Sequence, residues 1–161
     1  MAGIRVAVEL DAPIDVAWAY LEQVERHVEW MADAVAITFD GEQQRGVGTS
    51  FTCETKFGPI RLDDRMEITE WVPEQRMGVR HSGLVSGSGV FELEPIDLGR
   101  RTRFTWTETL QFPWYFGGKL GRAVASPLIL KPVWRRNLKS LAAQFGEEQF
   151  SAAQFNDGAS R

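Results

Sequence analysis

The chain has 161 residues, 43% of them hydrophobic and 25% charged, with 18 basic against 22 acidic side chains and a formal charge of -4. That size and balance suit one soluble globular domain and argue against a disordered chain or a membrane span. The acidic balance disfavours a nucleic-acid partner, and the single cysteine, Cys53, excludes an intramolecular disulfide and fits a reducing compartment.

Arg5, Glu9, Asp11 and Asp15 interrupt the N-terminus where a signal peptide needs an apolar stretch, so a cytoplasmic location is expected. Ile4, Val6, Val8 and Leu10 alternate with Arg5, Ala7 and Glu9, which predicts a half-buried strand over 4–10. Asp11-Ala12-Pro13 then offers an N-cap acceptor and a proline near the first helical turn. Val16, Ala17, Tyr20, Leu21 and Val24 repeat at helical spacing behind it. A second, shorter helical turn is predicted over 27–31, with Trp30 near its end.

Six strand-like segments follow without interruption. The second strand is predicted over 34–39 and the third over 49–57, with Phe51, Cys53, Thr55 and Phe57 on one face. Gly58-Pro59 makes a two-residue hairpin of type II′, which sets Phe57 opposite Ile60, Cys53 opposite Asp64 and Phe51 opposite Met66. Strand four alternates Ile60, Leu62, Asp64, Met66 and Ile68 with a charged outer face. Strand five turns Met77, Val79 and His81 inward, strand six Gly87, Gly89, Phe91 and Leu93, and strand seven Phe104, Trp106, Glu108 and Leu110. Short turns between sequential neighbours predict a twisted antiparallel meander.

From Phe116 the period becomes helical, with Phe116, Leu120, Val124 and Leu128 on one stripe, then Leu130, Trp134, Leu138, Leu141 and Phe145. Pro127 and Pro132 are expected to bend or break this helix between 126 and 132. Residues 1–146 form the single expected domain. Residues 147–161 lack a sustained apolar period and are expected to be a mobile tail.

The opening strand and cap, Val8-Glu9-Leu10-Asp11-Ala12-Pro13 with Val16 to Trp18, resemble a known pattern. So do the helix end from Val24 to Trp30 and the closing helix from Leu138 to Leu141 after Pro132. They resemble the START/Bet v 1-like (SRPBCC) superfamily, especially its polyketide cyclase/dehydrase and lipid-transport branch. The resemblance implies an α+β helix-grip fold, in which a curved seven-stranded antiparallel sheet, two short helices and a long C-terminal helix enclose a cavity. It also implies a hydrophobic or amphipathic ligand, which some members cyclise or dehydrate and others only carry or sense.

The cavity is expected to be lined by Trp30, Phe51, Cys53, Met66, Val79, Gly89, Phe91, Trp106, Leu110, Phe116, Leu120, Val124 and Leu128. The glycines at 87 and 89 leave room beside Glu108. A carboxylate among apolar neighbours must be paired, hydrated or protonated, so Glu108 is either a general acid or hydroxyl acceptor, or simply wet at a strand end. His81 falls opposite Asp64 or Met66, and Asp64 could orient it as a proton shuttle or merely hydrogen-bond it near a hairpin end. Cys53 and His81 would lie about two strand spacings apart, roughly 10 Å, too far for direct proton transfer.

Two histidines on different elements with one cysteine give no metal-ligand spacing, and Gly87-Ser88-Gly89 lacks the helix N-terminus of a phosphate loop. No metal and no cofactor are therefore expected. Lys131, Arg135, Arg136 and Lys139 make the last helix locally basic, which suits either transient contact with an anionic membrane or carrier protein, or an ordinary solvated face. Trp30, Trp114, Tyr115 and Phe116 form either an aromatic rim at the pocket mouth or plain packing. A monomer or homodimer that binds or transports a small molecule is favoured. A cofactor-free aromatase, cyclase or dehydratase using Glu108, His81 and Asp64 is the alternative, and a partner in a larger toxin–antitoxin or stress-response assembly a weaker third.

Overall fold

The computed structural model describes residues 2–83, 85–111 and 127–156. Strand β1 (Ala2–Leu10) leads into helix α1 (Ile14–Leu21) and a 3-10 turn at Val24–Glu29. Strands β2 (Ala34–Phe39), β3 (Ser50–Phe57), β4 (Ile60–Val72), β5 (Arg76–Ser82), β6 (Ser86–Ile96) and β7 (Arg101–Gln111) follow. Helix α2 spans Pro127–Asn156.

Among the described residues the strands make one antiparallel sheet in the order β1-β7-β6-β5-β4-β3-β2. Each hairpin from β2 to β7 joins spatial neighbours, and β1 closes the far edge by pairing along the whole of β7. The β3–β4 register is the one that the two-residue turn demands. Phe57 pairs with Ile60, Cys53 with Asp64 and Phe51 with Met66, while Gly58 takes φ +57°, the left-handed backbone that a primed turn needs at its first position.

Helix α2 lies against β1 and reaches β7 through Trp134. Leu130, Trp134, Leu138, Leu141 and Phe145, spaced three or four apart, are all buried there. Trp134 meets Trp106 of β7 at 5.1 Å between ring centroids, and Phe145 meets Tyr20 of α1 edge-on at 5.5 Å. The outer face carries the charge. Arg76 pairs with Glu70 and Glu92, Arg80 with Glu67, and Arg103 with Glu9 and Glu94. Exposed pairs of this kind contribute about 0–1 kcal/mol each, so they select the outward side more than they stabilise it.

Three local expectations need correction. Pro13, not Asp11, occupies the N-cap of α1, and no side chain caps that helix. Asp11 instead lies 3.7 Å from Arg101. The short second helix is a 3-10 turn that begins at Val24 and ends at Glu29, earlier than the stretch 27–31. Over the described residues helix α2 runs through Pro132 without a break, because an internal proline removes only one backbone donor, while position 126 lies outside the described residues. Its backbone continues past Gly146 to Asn156.

Candidate functional site

Antiparallel pairing arranges the inward-facing residues in rows across the strands. Ile4, Glu108, Gly89, Val79 and Ile68 form one row, and Leu110, Gly87, His81, Met66 and Phe51 the next. In the row beyond, Asp64 faces Cys53. Of the two partners the sequence allowed, His81 pairs with Met66, and a bulge between Ile68 and Glu70 contributes to that register. Asp64 is thus a diagonal neighbour of His81, and its Oδ2 lies 2.6 Å from His81 Nδ1.

The other side of the imidazole reaches further. His81 Nε2 lies 2.5 Å from Glu108 Oε1, although β6 runs between the two strands that carry them. Two strand spacings come to about 10 Å, a gap that both side chains can span only if nothing on β6 fills it. The inward residues of β6 at these rows are Gly87 and Gly89. A Cβ on Gly89 would sit 2.6 Å from Glu108 Oε2, and one on Gly87, at φ +147°, would strike the Thr109 carbonyl oxygen. Gly89 is what leaves Glu108 the room to meet the histidine, whereas Gly87 is required by its own backbone angle against β7.

Glu108 is further held from its own strand. Trp106, two residues earlier on the same face, donates its Nε1–H to Glu108 Oε2 at 2.6 Å. The side chains are 4% exposed for Glu108, 7% for His81 and 13% for Asp64. The His81–Glu108 approach is close but off the hydrogen-bonding axis. Nε2 and Oε1 therefore form an ion pair without an aligned hydrogen bond, and Asp64 Oδ1 is also buried with no partner among the described residues.

Burial works against charge on His81 and is the largest single influence on it. The hydrogen bond to Asp64 and the contact with Glu108 together outweigh that, and hold the imidazole pKa up at about 10. His81 is therefore an imidazolium at neutral pH, with one carboxylate on each side. The second histidine is its opposite. His27 donates Nε2–H to the Leu21 carbonyl at 2.8 Å, and burial lowers its pKa to about 4, so it stays neutral in the core.

An aromatic cluster adjoins this polar island through Trp106. Trp30 packs edge-on to Trp106 and Phe104 at 5.9 and 6.3 Å between centroids, and tilted against Phe91 at 6.1 Å. It is 1% exposed, so it is core packing and no part of a rim. Its Nε1–H is buried without a partner among the described residues. Phe51, Cys53, Gly89 and Trp106 are buried on the same inner face, and Met66, Val79, Phe91 and Leu110 are half-buried. Burial raises the Cys53 thiol pKa to about 11, which leaves it inert as a nucleophile. Phe116, Leu120, Val124, Trp114 and Tyr115, and the side chain of Leu128, lie outside the described residues.

One anchoring residue escaped the sequence reading. Asn137 on α2 is fully buried, accepts the Ala32 N–H at 3.0 Å and donates to Asp33 Oδ1 at 2.7 Å. It ties the helix to the segment that leads into β2. The only signal for it was a polar residue inside the apolar stripe of α2, flanked by Trp134, Leu138 and Leu141.

A sheet gripped by a long C-terminal helix, with a polar island on an aromatic inner face, is the helix-grip architecture of START-like proteins. The chain belongs to the polyketide cyclase / dehydrase and lipid transport family, whose model matches residues 1–146. No curated protein sequence matches it. Among solved structures it is similar to a protein of Thermus thermophilus (17% identity, TM-score 0.76, 91% of this chain and 99% of that one). It is also similar to the Zhui aromatase/cyclase of a Streptomyces species (13%, 0.74, 90% and 93%) and to a START superfamily protein of Mycobacterium smegmatis (9%, 0.72, 90% and 97%). At these identities the likeness establishes the fold. Among the described residues no helix is long and apolar enough to cross a membrane.

Proposed function

We propose that this protein binds or transports a hydrophobic or amphipathic small molecule, lipid or polyketide-like, between the inner face of its sheet and the C-terminal helix. The observation that carries the proposal is the inner face itself. Phe91, Trp106, Met77 and Val79 make it apolar, and Asp64, His81 and Glu108 supply one compact polar group within it, the usual composition of a small-molecule site. The wall assigned from sequence to Phe116, Leu120, Val124 and Leu128 belongs to the same proposal. So does transient docking through Lys131, Arg135, Arg136 and Lys139. All four are exposed and none forms an ion pair among the described residues, whereas the sheet's charged face is extensively paired.

Acid–base catalysis of a cyclisation or dehydration is the second reading, and the continuous Asp64–His81–Glu108 contact favours it. The imidazole argues the other way. A group with a pKa of about 10 is in its basic form in only about a thousandth of molecules at pH 7, whereas a useful general base titrates near the working pH. In the binding reading the imidazolium holds two carboxylates in place as acceptors for a ligand hydroxyl.

Native mass spectrometry of the protein purified from its own host, followed by extraction of the bound molecule, tests the proposal. A co-purifying lipid or polyketide is expected. The absence of any bound molecule together with failure to take up any apolar probe would overturn it. Turnover abolished by Glu108→Gln with ligand affinity retained would instead establish the enzyme.

A further inference from the structure

We infer that the exposed face of helix α2 docks on an anionic lipid surface, where the protein collects or delivers its apolar guest; this rests on the binding reading above. Charge is segregated along the chain. Residues 109–146 hold six basic side chains and no aspartate or glutamate, whereas the other 123 residues hold 12 basic and 22 acidic ones. The fold leaves that excess uncompensated. All ten described arginines outside the helix form an ion pair with an aspartate or glutamate. Arg135, Arg136, Lys131 and Lys139 form none among the described residues, and all four are exposed.

Helical spacing gathers these charges. Lys131, Arg135 and Lys139 recur every four residues along about 12 Å of helix, and Arg136 stands on the same exposed side. Like charges at this spacing repel one another, a cost that a facing anionic surface relieves. Between 130 and 146 the other exposed residues are Pro132, Ala143 and Gly146, so the face offers cations and no large apolar side chain. A protein partner is held by apolar or aromatic anchors buried at the centre of the contact, with charge kept to the rim. A layer of anionic head groups asks only for clustered cations within a Debye length of it. The acidic remainder of the molecule is repelled by that layer, which turns the helix towards it.

Co-sedimentation of the unmodified protein with phosphatidylcholine vesicles, with and without about 30% phosphatidylserine, tests the inference at neutral pH. Binding at least about tenfold tighter to the anionic vesicles is expected, and about 0.5 M salt should reverse it. The combined variant Lys131→Gln, Arg135→Gln, Arg136→Gln and Lys139→Gln should lose that preference. A control with Arg45→Gln, Arg61→Gln, Arg65→Gln and Arg100→Gln has the same net charge, changes only exposed and paired arginines, and should keep it. Thermal melting checks that both variants are folded. No preference of the unmodified protein for the anionic vesicles would overturn the inference and return the face to an acidic protein or to solvent. Equal loss in both folded variants would also overturn it, because net charge and not the helix face would then be the cause. Uptake of the neutral fluorescent probe N-phenyl-1-naphthylamine without vesicles reports separately on the binding reading. Uptake by a protein that ignores the anionic vesicles removes docking alone, whereas adsorption without uptake of this or any other apolar probe keeps the docking face and removes the guest.

Discussion

Gly89 lies directly opposite Glu108 on the neighbouring strand, and a methyl group on its Cα would sit 2.6 Å from Glu108 Oε2. The absence of one side chain on β6 is thus a condition for a contact between β5 and β7. Gly89→Ala is expected to push the glutamate off His81 and remove one of the influences that raise the imidazole pKa. An NMR titration should then place the His81 midpoint below that of the unmodified protein. An unmoved midpoint would show that the glycine only fills space.

The two histidines give stability opposite slopes against pH. His81 has a folded pKa of about 10 against an ordinary 6.5, so its contribution is complete below pH 6.5 and is lost as pH rises through 10. His27 has a folded pKa of about 4, so its neutral burial is free of penalty above pH 6.5 and costs stability as pH falls from there towards 4. Denaturant unfolding across this range should peak near pH 6.5 in the histidine contribution. His81→Gln is expected to flatten the alkaline limb and His27→Gln the acid limb.

Asn137 distinguishes hydrogen bonding from shape. Asn137→Ala leaves the Ala32 N–H buried without its acceptor, at a cost of about 1–3 kcal/mol. Asn137→Asp keeps that acceptor and the volume, yet sets a carboxylate against Asp33, where the amide now donates at 2.7 Å. The aspartate is expected to be the more damaging change by thermal melting at neutral pH, and to recover in acid as the pair protonates. Equal losses at every pH would mean that packing alone holds the helix at this point.

Cys53 should be silent. With its thiol raised to about 11 and the residue 5% exposed, only about one molecule in ten thousand carries a thiolate at pH 7. Iodoacetamide is expected to leave the native protein unmodified for hours and to label it within minutes once urea unfolds it. Rapid native labelling would place Cys53 in an open, reactive environment.

Much of this molecule was written in local pattern. Period-two alternation located β1 and the inward faces of β4 to β7, and Gly58-Pro59 dictated the β3–β4 register, because a two-residue turn permits only one pairing. Helical spacing named the five residues by which α2 grips the sheet. Boundaries set by caps were less legible. Pro13 rather than Asp11 ends up at the N-cap, because β1 ends at Leu10 as its alternation required and residues 11–13 lie between it and the first helical residue, Ile14.

The functional centre divides the same way. Sequence alone determined that Asp64, His81 and Glu108 face inward, because side chains alternate along a strand and the apolar partners of each were plain. Only the tertiary structure decided that they touch. The His81–Glu108 contact needs the β5–β6 and β6–β7 registers to agree and the strand between to carry glycine opposite Glu108. The Asn137 clamp needs the interior of a helix to meet a segment more than a hundred residues earlier. Periodicity reports which face a residue occupies, whereas its neighbour on that face is set by loop lengths, bulges and packing summed over the whole chain.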